Sequence, residues 1–196
     1  MKFFKPTVTL LAACLFASAC SPNVAADPVE PNHTSPAPMA PEFTGIGQWI
    51  NSTPQTLQQL RGKVVLVEFW TYSCINCIQV LPHTKAWHQQ YADDGLVVIG
   101  VHTPEYGYEK SLPNLQAAVK RFGISYPVAQ DNDYRTWNAY NNRYWPALYL
   151  IDQDGRIVYQ HFGEGEYEAT EAKIKQLLAK RPAPSSTPAA KRPAAP

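Results

Sequence analysis

Long apolar runs are missing from this chain of 196 residues, and no stretch reaches the roughly 18 consecutive apolar residues of a membrane-spanning helix. Neither sign of charge dominates: 17 Lys and Arg stand against 16 Asp and Glu, and a net charge of +1 makes no electrostatic case for nucleic acid. Cysteine is limited to four, at positions 14, 20, 74 and 77. Two of these lie in the N-terminal segment, so no second cysteine pair accompanies Cys74 and Cys77, and a tetrahedral zinc site would lack two ligands. Asp152-Gln153-Asp154-Gly155 lacks the rest of a calcium loop and reads as a turn. No internal repeat is present.

The two ends differ from the middle. Lys2 and Lys5 precede an uncharged run, 6–19, with small residues before a cysteine, the pattern of a secretory signal. Ala17-Ser18-Ala19-Cys20 resembles a bacterial lipoprotein box, which makes 1–19 the signal and Cys20 the lipidated first residue of the mature chain. Leu11-Ala12-Ala13-Cys14 matches that box better but leaves a very short apolar region, and cleavage by an ordinary signal peptidase is a further reading. Loss of Lys2 and Lys5 turns 17 against 16 into 15 against 16, a mature charge of −1. Residues 20–42 carry prolines at 22, 28, 31, 36, 38 and 41, which favours an extended tether reaching at most roughly 70 Å from a membrane. Residues 182–196 form a second Pro/Ala-rich tail expected to be disordered, and the folded domain is placed at 43–181.

Inside these flanks one stretch sets the organisation. Val64-Val65-Leu66-Val67-Glu68-Phe69-Trp70 is apolar and β-branched over strand length; it breaks at Thr71-Tyr72-Ser73 and passes into a helical pattern with Cys74-Ile75-Asn76-Cys77 on its first turn. Residues i and i+3 of a helix share a side and are separated by roughly 4.5 Å of rise, close to the Cα spacing of about 4.4–6.8 Å that a disulfide needs. The pair can therefore open and close with little backbone movement. Cys74 falls where orphan N–H groups and the helix dipole favour an anion, which marks it as the attacking sulfur. Cys77 begins the stripe Cys77, Val80, Leu81, Thr84, His88 and Tyr91 at helical spacing, which marks it as the buried, resolving sulfur. Pro82 should kink that helix.

The remaining pattern gives 43–52 as a short strand or hairpin, 54–60 as a helical turn and 96–101 as a second buried strand after Asp94-Gly95. Leu115, Ala118, Val119 and Phe122 predict a helix that Gly123 stops. A short strand at 126–129, a helical turn at 134–140, a hairpin of 147–151 with 156–162, and a closing helix over 166–180 follow. The expected fold class is α/β, a mixed central sheet flanked by helices on both faces, with a central helix-strand insertion.

Phe69-Trp70 four residues before the first cysteine, and Pro82 five after the second, resemble a thioredoxin-fold active site. The longer strings from Phe69 to Cys77, His102-Thr103-Pro104-Glu105 and Tyr144-Trp145-Pro146-Ala147 resemble the DipZ/TlpA-like group of extracytoplasmic thioredoxin-like proteins, over about residues 43–180. The resemblance departs from thioredoxin in Ile-Asn between the cysteines and Ser73 before them, positions that tune the thiol pKa and potential. It implies a cis Trp145-Pro146 bond beside the attacking sulfur, where an extended substrate would pair. It also implies a thiol–disulfide oxidoreductase tilted towards reduction and recharged by a membrane electron-transfer protein, serving cytochrome maturation or the rescue of oxidised cysteines.

The candidate catalytic residues are then Cys74, Cys77 and Glu68. Glu68 lies in a strand otherwise apolar on both faces, where burial would raise its pKa and let it take the proton of Cys77; thioredoxins keep a buried acid there. The blander reading is a carboxylate at a strand end reaching solvent or a lysine. Tyr72, Tyr144 and Trp145 rim the site or belong to the core, and Tyr72, Trp145 and Pro146 are the candidate substrate contacts. No cofactor is required, because two sulfurs carry both electrons. Partners are disulfide-containing client proteins, with the chain anchored by lipid outside the cytoplasm. Rival readings are a thiol peroxidase, although Cys74 lacks the Thr-x-x-Cys arrangement of peroxiredoxins, and a Cu(I) metallochaperone using the cysteines with one of His83, His88, His102 or His161. His102-Thr103-Pro104-Glu105 follows a central strand without an assigned role.

Overall fold

Seven buried residues, Val64–Trp70, occupy the middle of the structure because both faces of their strand are covered and nothing but apolar side chains and one carboxyl must be accommodated. The computed structural model describes residues 36–180. In chain order its strands are β1 (Trp49–Ile50), β2 (Val64–Trp70), β3 (Leu96–His102), β4 (Val128–Gln130), β5 (Ala147–Ile151) and β6 (Ile157–Phe162). Its helices are α1 (Ile75–Tyr91), α2 (Leu112–Phe122), α3 (Arg135–Ala139) and α4 (Tyr167–Ala179), with a 3-10 turn at Gly107–Lys110.

The strands form one sheet in the order β1-β4-β3-β2-β5-β6. β2, β3 and β4 are parallel, and β1, β5 and β6 join antiparallel, so the sheet is mixed. Alternation along β2 divides the core. Val64, Leu66 and Trp70 pack with buried residues of α1, α2 and α4, while Val65, Val67 and Phe69 pack with Leu57, Trp137 and Tyr140 on the other face. Glu68 shares the first face. The chemistry therefore falls at the C-terminal ends of β2 and β3, where parallel strands release their loops.

Several boundaries differ from the sequence expectation for identifiable reasons. α2 starts at Leu112 rather than 115, because the Ser111 hydroxyl accepts from the Asn114 N–H at 3.4 Å and Pro113 suits the first turn. Gly123 stops it in a left-handed conformation, φ 62°. The expected strand or hairpin at 43–52 reduces to the two residues of β1 on the sheet edge. The core stripe of α1 runs through Trp87 rather than His88, and Pro82 sits inside the helix, facing solvent, without ending it.

The signal at 1–19, Cys20, most of the tether and the tail at 182–196 lie outside the described residues. The last residues assigned to the tether do not behave as a spacer. Met39 bridges to Arg156, Ile157 N–H donates to the Pro38 carbonyl at 2.9 Å, and the Glu42 carboxylate accepts from the N–H groups of Leu57 and Gln58, both at 2.8 Å. Proline-rich composition did not prevent docking, since a sheet edge needs only alternate backbone groups. Among the described residues no helix is long and apolar enough to cross a membrane.

Candidate active site

β2 delivers its chain into loop 71–73, and Cys74 then stands at the cap of α1 rather than inside its first turn, with an extended backbone, φ −75° and ψ 116°. Its sulfur accepts from the Cys77 N–H at 3.2 Å, the bond a Ser or Asp oxygen would make at an ordinary cap. The Cys77 thiol and the Cys77 and Asn76 N–H groups stabilise the thiolate and outweigh partial burial, lowering the Cys74 pKa to about 7. Cys77 is fully buried, and desolvation first, then its bond to Cys74, pushes its pKa far above the ordinary thiol range. Both thiols are free. Near neutral pH one sulfur is thus a nucleophile, while the other needs a base.

Glu68 lies behind the pair and is completely buried. Desolvation raises its pKa to about 7 against the opposing hydrogen bond from the Tyr126 hydroxyl, 3.1 Å from Oε2, while Oε1 has no partner. The Tyr126 hydroxyl also meets the Thr84 hydroxyl at 3.3 Å, tying the acid to α1. A Cβ on Gly100, which pairs with Glu68 across the strands, would stand 2.9 Å from Trp70 Nε1 and 3.1 Å from the Tyr126 ring, so glycine leaves room for Trp70 and for the tyrosine that bonds Glu68. The Glu68 charge adds to the rise of the Cys77 pKa, after burial and the bond to Cys74. The blander reading, a carboxylate reaching solvent, is not what the structure shows.

The other predicted residues separate. Tyr72 is not a rim residue: it is buried, donates to the Tyr108 carbonyl at 3.1 Å and stacks on His102 at 5.4 Å between ring centroids. Its aromatic face found a closer partner in the core than a passing client offers. Trp145 is half-buried, donates from Nε1 to the Thr103 carbonyl at 2.9 Å and packs on Trp137. The Trp145-Pro146 bond is cis. Ala147 pairs with Phe69, so Pro146 flanks the end of β2 where the cysteine loop leaves. Tyr144 and Ile75 are exposed.

His102 is buried, and desolvation lowers its pKa to about 4, so it is neutral at ordinary pH. The four candidate histidines scatter: His83 stacks on Tyr167, His88 meets Tyr126 edge-on, His102 lies against Tyr72, and His161 contacts the Glu164 carbonyl. Among the described residues no three His, Cys, Asp or Glu side chains group as metal ligands. Tyr126, Thr84 and Glu109 were missed as site residues, since nothing local distinguishes them.

Glu105 is exposed, and its charge works to raise the Cys74 pKa. Glu105→Gln should therefore speed alkylation of Cys74 at pH 6, by less than about twofold, and the gain should fade in 1 M salt, because exposed charges are screened. An unchanged rate at low salt would show that Glu105 does not act on the thiolate.

The profile of the AhpC/TSA family matches residues 36–160. The chain is 52% identical over 157 residues to protein DipZ of Mycobacterium tuberculosis (strain CDC 1551 / Oshkosh), covering 76% of this chain and 23% of DipZ, so it spans under a quarter of that relative. It is 27% identical over 139 residues to the thiol-disulfide oxidoreductase YkuV of Bacillus subtilis (strain 168), covering 71% of this chain and 93% of YkuV. The crystal structure of the thioredoxin-like superfamily protein SPOA0173 superposes with a TM-score of 0.68 at 33% identity, covering 74% of this chain and 98% of the other. The fold is thioredoxin-like, as the sequence led one to expect.

Proposed function

The chain belongs to the AhpC/TSA family, and from that premise we propose that it is an extracytoplasmic thiol–disulfide oxidoreductase that reduces disulfides in client proteins. The observation carrying this reading is the division of labour between two neighbouring sulfurs, Cys74 half-exposed with a lowered pKa and Cys77 buried with a raised one. The Cys74 thiolate attacks a client disulfide; that S–S bond breaks, a mixed disulfide forms, and one client sulfur leaves and takes a proton. Glu68 then accepts the Cys77 proton, the Cys77 sulfur attacks Cys74, and the second client sulfur leaves as a thiol. Two electrons pass to the client, and Cys74–Cys77 ends as a disulfide. A membrane dithiol protein would return the pair to its reduced form.

A Cys74 pKa of about 7 lies with thioredoxin, a reductant at about 7, rather than with a strong oxidant at about 3.5, which supports the reducing direction. Trp145 and Pro146 remain the proposed client contacts, by their place beside the cysteine loop. Tethering through a lipid on Cys20 belongs to the same proposal, and similarity to DipZ supports a location outside the cytoplasm. Equilibrating the full chain with glutathione buffers tests the direction. A potential near about −270 mV is expected; a value near about −120 mV would make the protein an oxidant, and rapid turnover of hydrogen peroxide would make it a peroxidase.

A further inference from the structure

Glu109 is a second buried acid, and the reaction as described does not use it. It sits on the 3-10 turn after β3, 35 positions from Cys74, and has no accessible surface. Its Oε1 accepts from the Ser73 hydroxyl, and its Oε2 accepts from the N–H groups of Glu105 at 2.6 Å and Tyr106 at 2.9 Å. Burial alone would raise its pKa. The bonds from Ser73, Thr71 and the two N–H groups outweigh that and hold the carboxyl below its ordinary value, so it is a carboxylate at neutral pH.

The groups on this carboxylate are the ones that frame the sulfurs. Ser73 is the residue before Cys74. Thr71, whose hydroxyl also meets His102 Nε2 at 3.2 Å, has a backbone N–H that works to lower the Cys77 pKa. The Tyr108 hydroxyl donates to the Ser73 hydroxyl at 3.0 Å, and the Tyr72 hydroxyl to the Tyr108 carbonyl. Loop 71–73 has no regular secondary structure to set its path, so these side-chain bonds must do so.

We propose that Glu109 is a positioning residue for the dithiol: its carboxylate ties loop 71–73 to the turn after β3 and thereby holds Cys74 at the cap of α1, with the Cys77 N–H on its sulfur. The inference rests on the oxidoreductase reading and adds a residue to it. It gives the segment after His102 a role, since the turn that follows β3 is the fixed post to which the cysteine loop is moored. Glu109 acts through Ser73 and Thr71 and touches no reacting atom. A glutamine there keeps the shape, and with its amide oxygen on the N–H groups of Glu105 and Tyr106 its N–H₂ faces the Ser73 hydroxyl, so the charged bond that Ser73 donates is lost.

The test is the pH profile of iodoacetamide alkylation at Cys74 in the reduced full chain, with the adduct located by peptide mass. The ionisable groups bearing on that sulfur are Cys77 on α1, Glu68 on β2 and Glu105 after β3, and all three are kept in each variant. Ser73→Ala and Glu109→Gln should each slow alkylation at pH 6 by about threefold or more, with rates converging near pH 9 where the thiolate is complete. Ser73→Thr, which keeps the hydroxyl, should restore the wild-type profile. A Glu109→Gln profile displaced to lower pH would overturn the inference, because simple removal of a negative charge acts in that direction. Ser73 is exposed, so Ser73→Ala decides the matter even if Glu109→Gln does not fold. If wild type titrates below the ordinary thiol range and Ser73→Ala leaves it unmoved, this inference fails alone; if the wild-type Cys74 shows no midpoint below that range, the oxidoreductase reading fails with it.

Discussion

Cys74→Ser should bring reduction of a model protein disulfide down to the uncatalysed background, a loss of about a thousandfold or more, whereas Cys77→Ser should keep the first attack and halt there. The asymmetry follows from placement. Cys74 is half-exposed, ionises at about 7 and is the sulfur a client can reach; a serine hydroxyl at the same cap would not ionise near neutral pH. Cys77 is buried with a pKa driven well above the ordinary value, so on the proposed mechanism it contributes only after the mixed disulfide has formed. Gel analysis without reductant should accordingly show disulfide-linked client on Cys77→Ser and none on Cys74→Ser. Trapping on Cys74→Ser alone would reverse the assignment of attacking and resolving sulfur, and equal trapping would remove it.

Glu68→Gln should separate chemistry from stability with opposite signs. Glu68 titrates at about 7, and if it is the base for Cys77, as proposed, its loss should slow resolution of the mixed disulfide at pH 7–8 by about a hundredfold while leaving attack by Cys74 nearly unchanged. Stability should move the other way. The folded pKa is raised from 4.5 to about 7, so the unfolded chain releases this proton first as pH rises. The contribution is fully present below about 4.5, declines up to about 7 and is lost above it, a change of about 3 kcal/mol for a group completely out of water. Glutamine does not titrate. Urea denaturation of the reduced proteins should therefore show Glu68→Gln gaining on wild type by about 3 kcal/mol between pH 4 and pH 8. A difference independent of pH would place the Glu68 carboxyl in contact with solvent, and unchanged resolution kinetics would remove its role as base.

The two acids show how far a linear reading reaches. Glu68 was legible as a candidate because six apolar neighbours in one strand announced burial, and a carboxyl in such company has few alternatives to protonation. Glu109 carries no such mark, sitting among Tyr106, Gly107, Tyr108 and Lys110 in a segment with no periodicity. Its burial depends on Ser73 from another part of the chain. Tyr72 shows the same limit in reverse: its place next to the cysteines suggested a rim, and a stack with His102, 30 positions away, drew it inward.

The order of strands and helices, the Cys74–Cys77 pair at a helix start and the candidate acid behind it were determined by the sequence alone, because period, capping and spacing act within a few residues. Only the tertiary structure decided that Gly100 leaves space for Trp70 and Tyr126, that the Tyr126 hydroxyl bonds both Glu68 and Thr84, and that Glu109 bonds the cysteine loop through Ser73. Each of these depends on side chains tens of residues apart sharing a volume without water. There a polar group is priced by the partners that reach it, and no local pattern records which partners those will be.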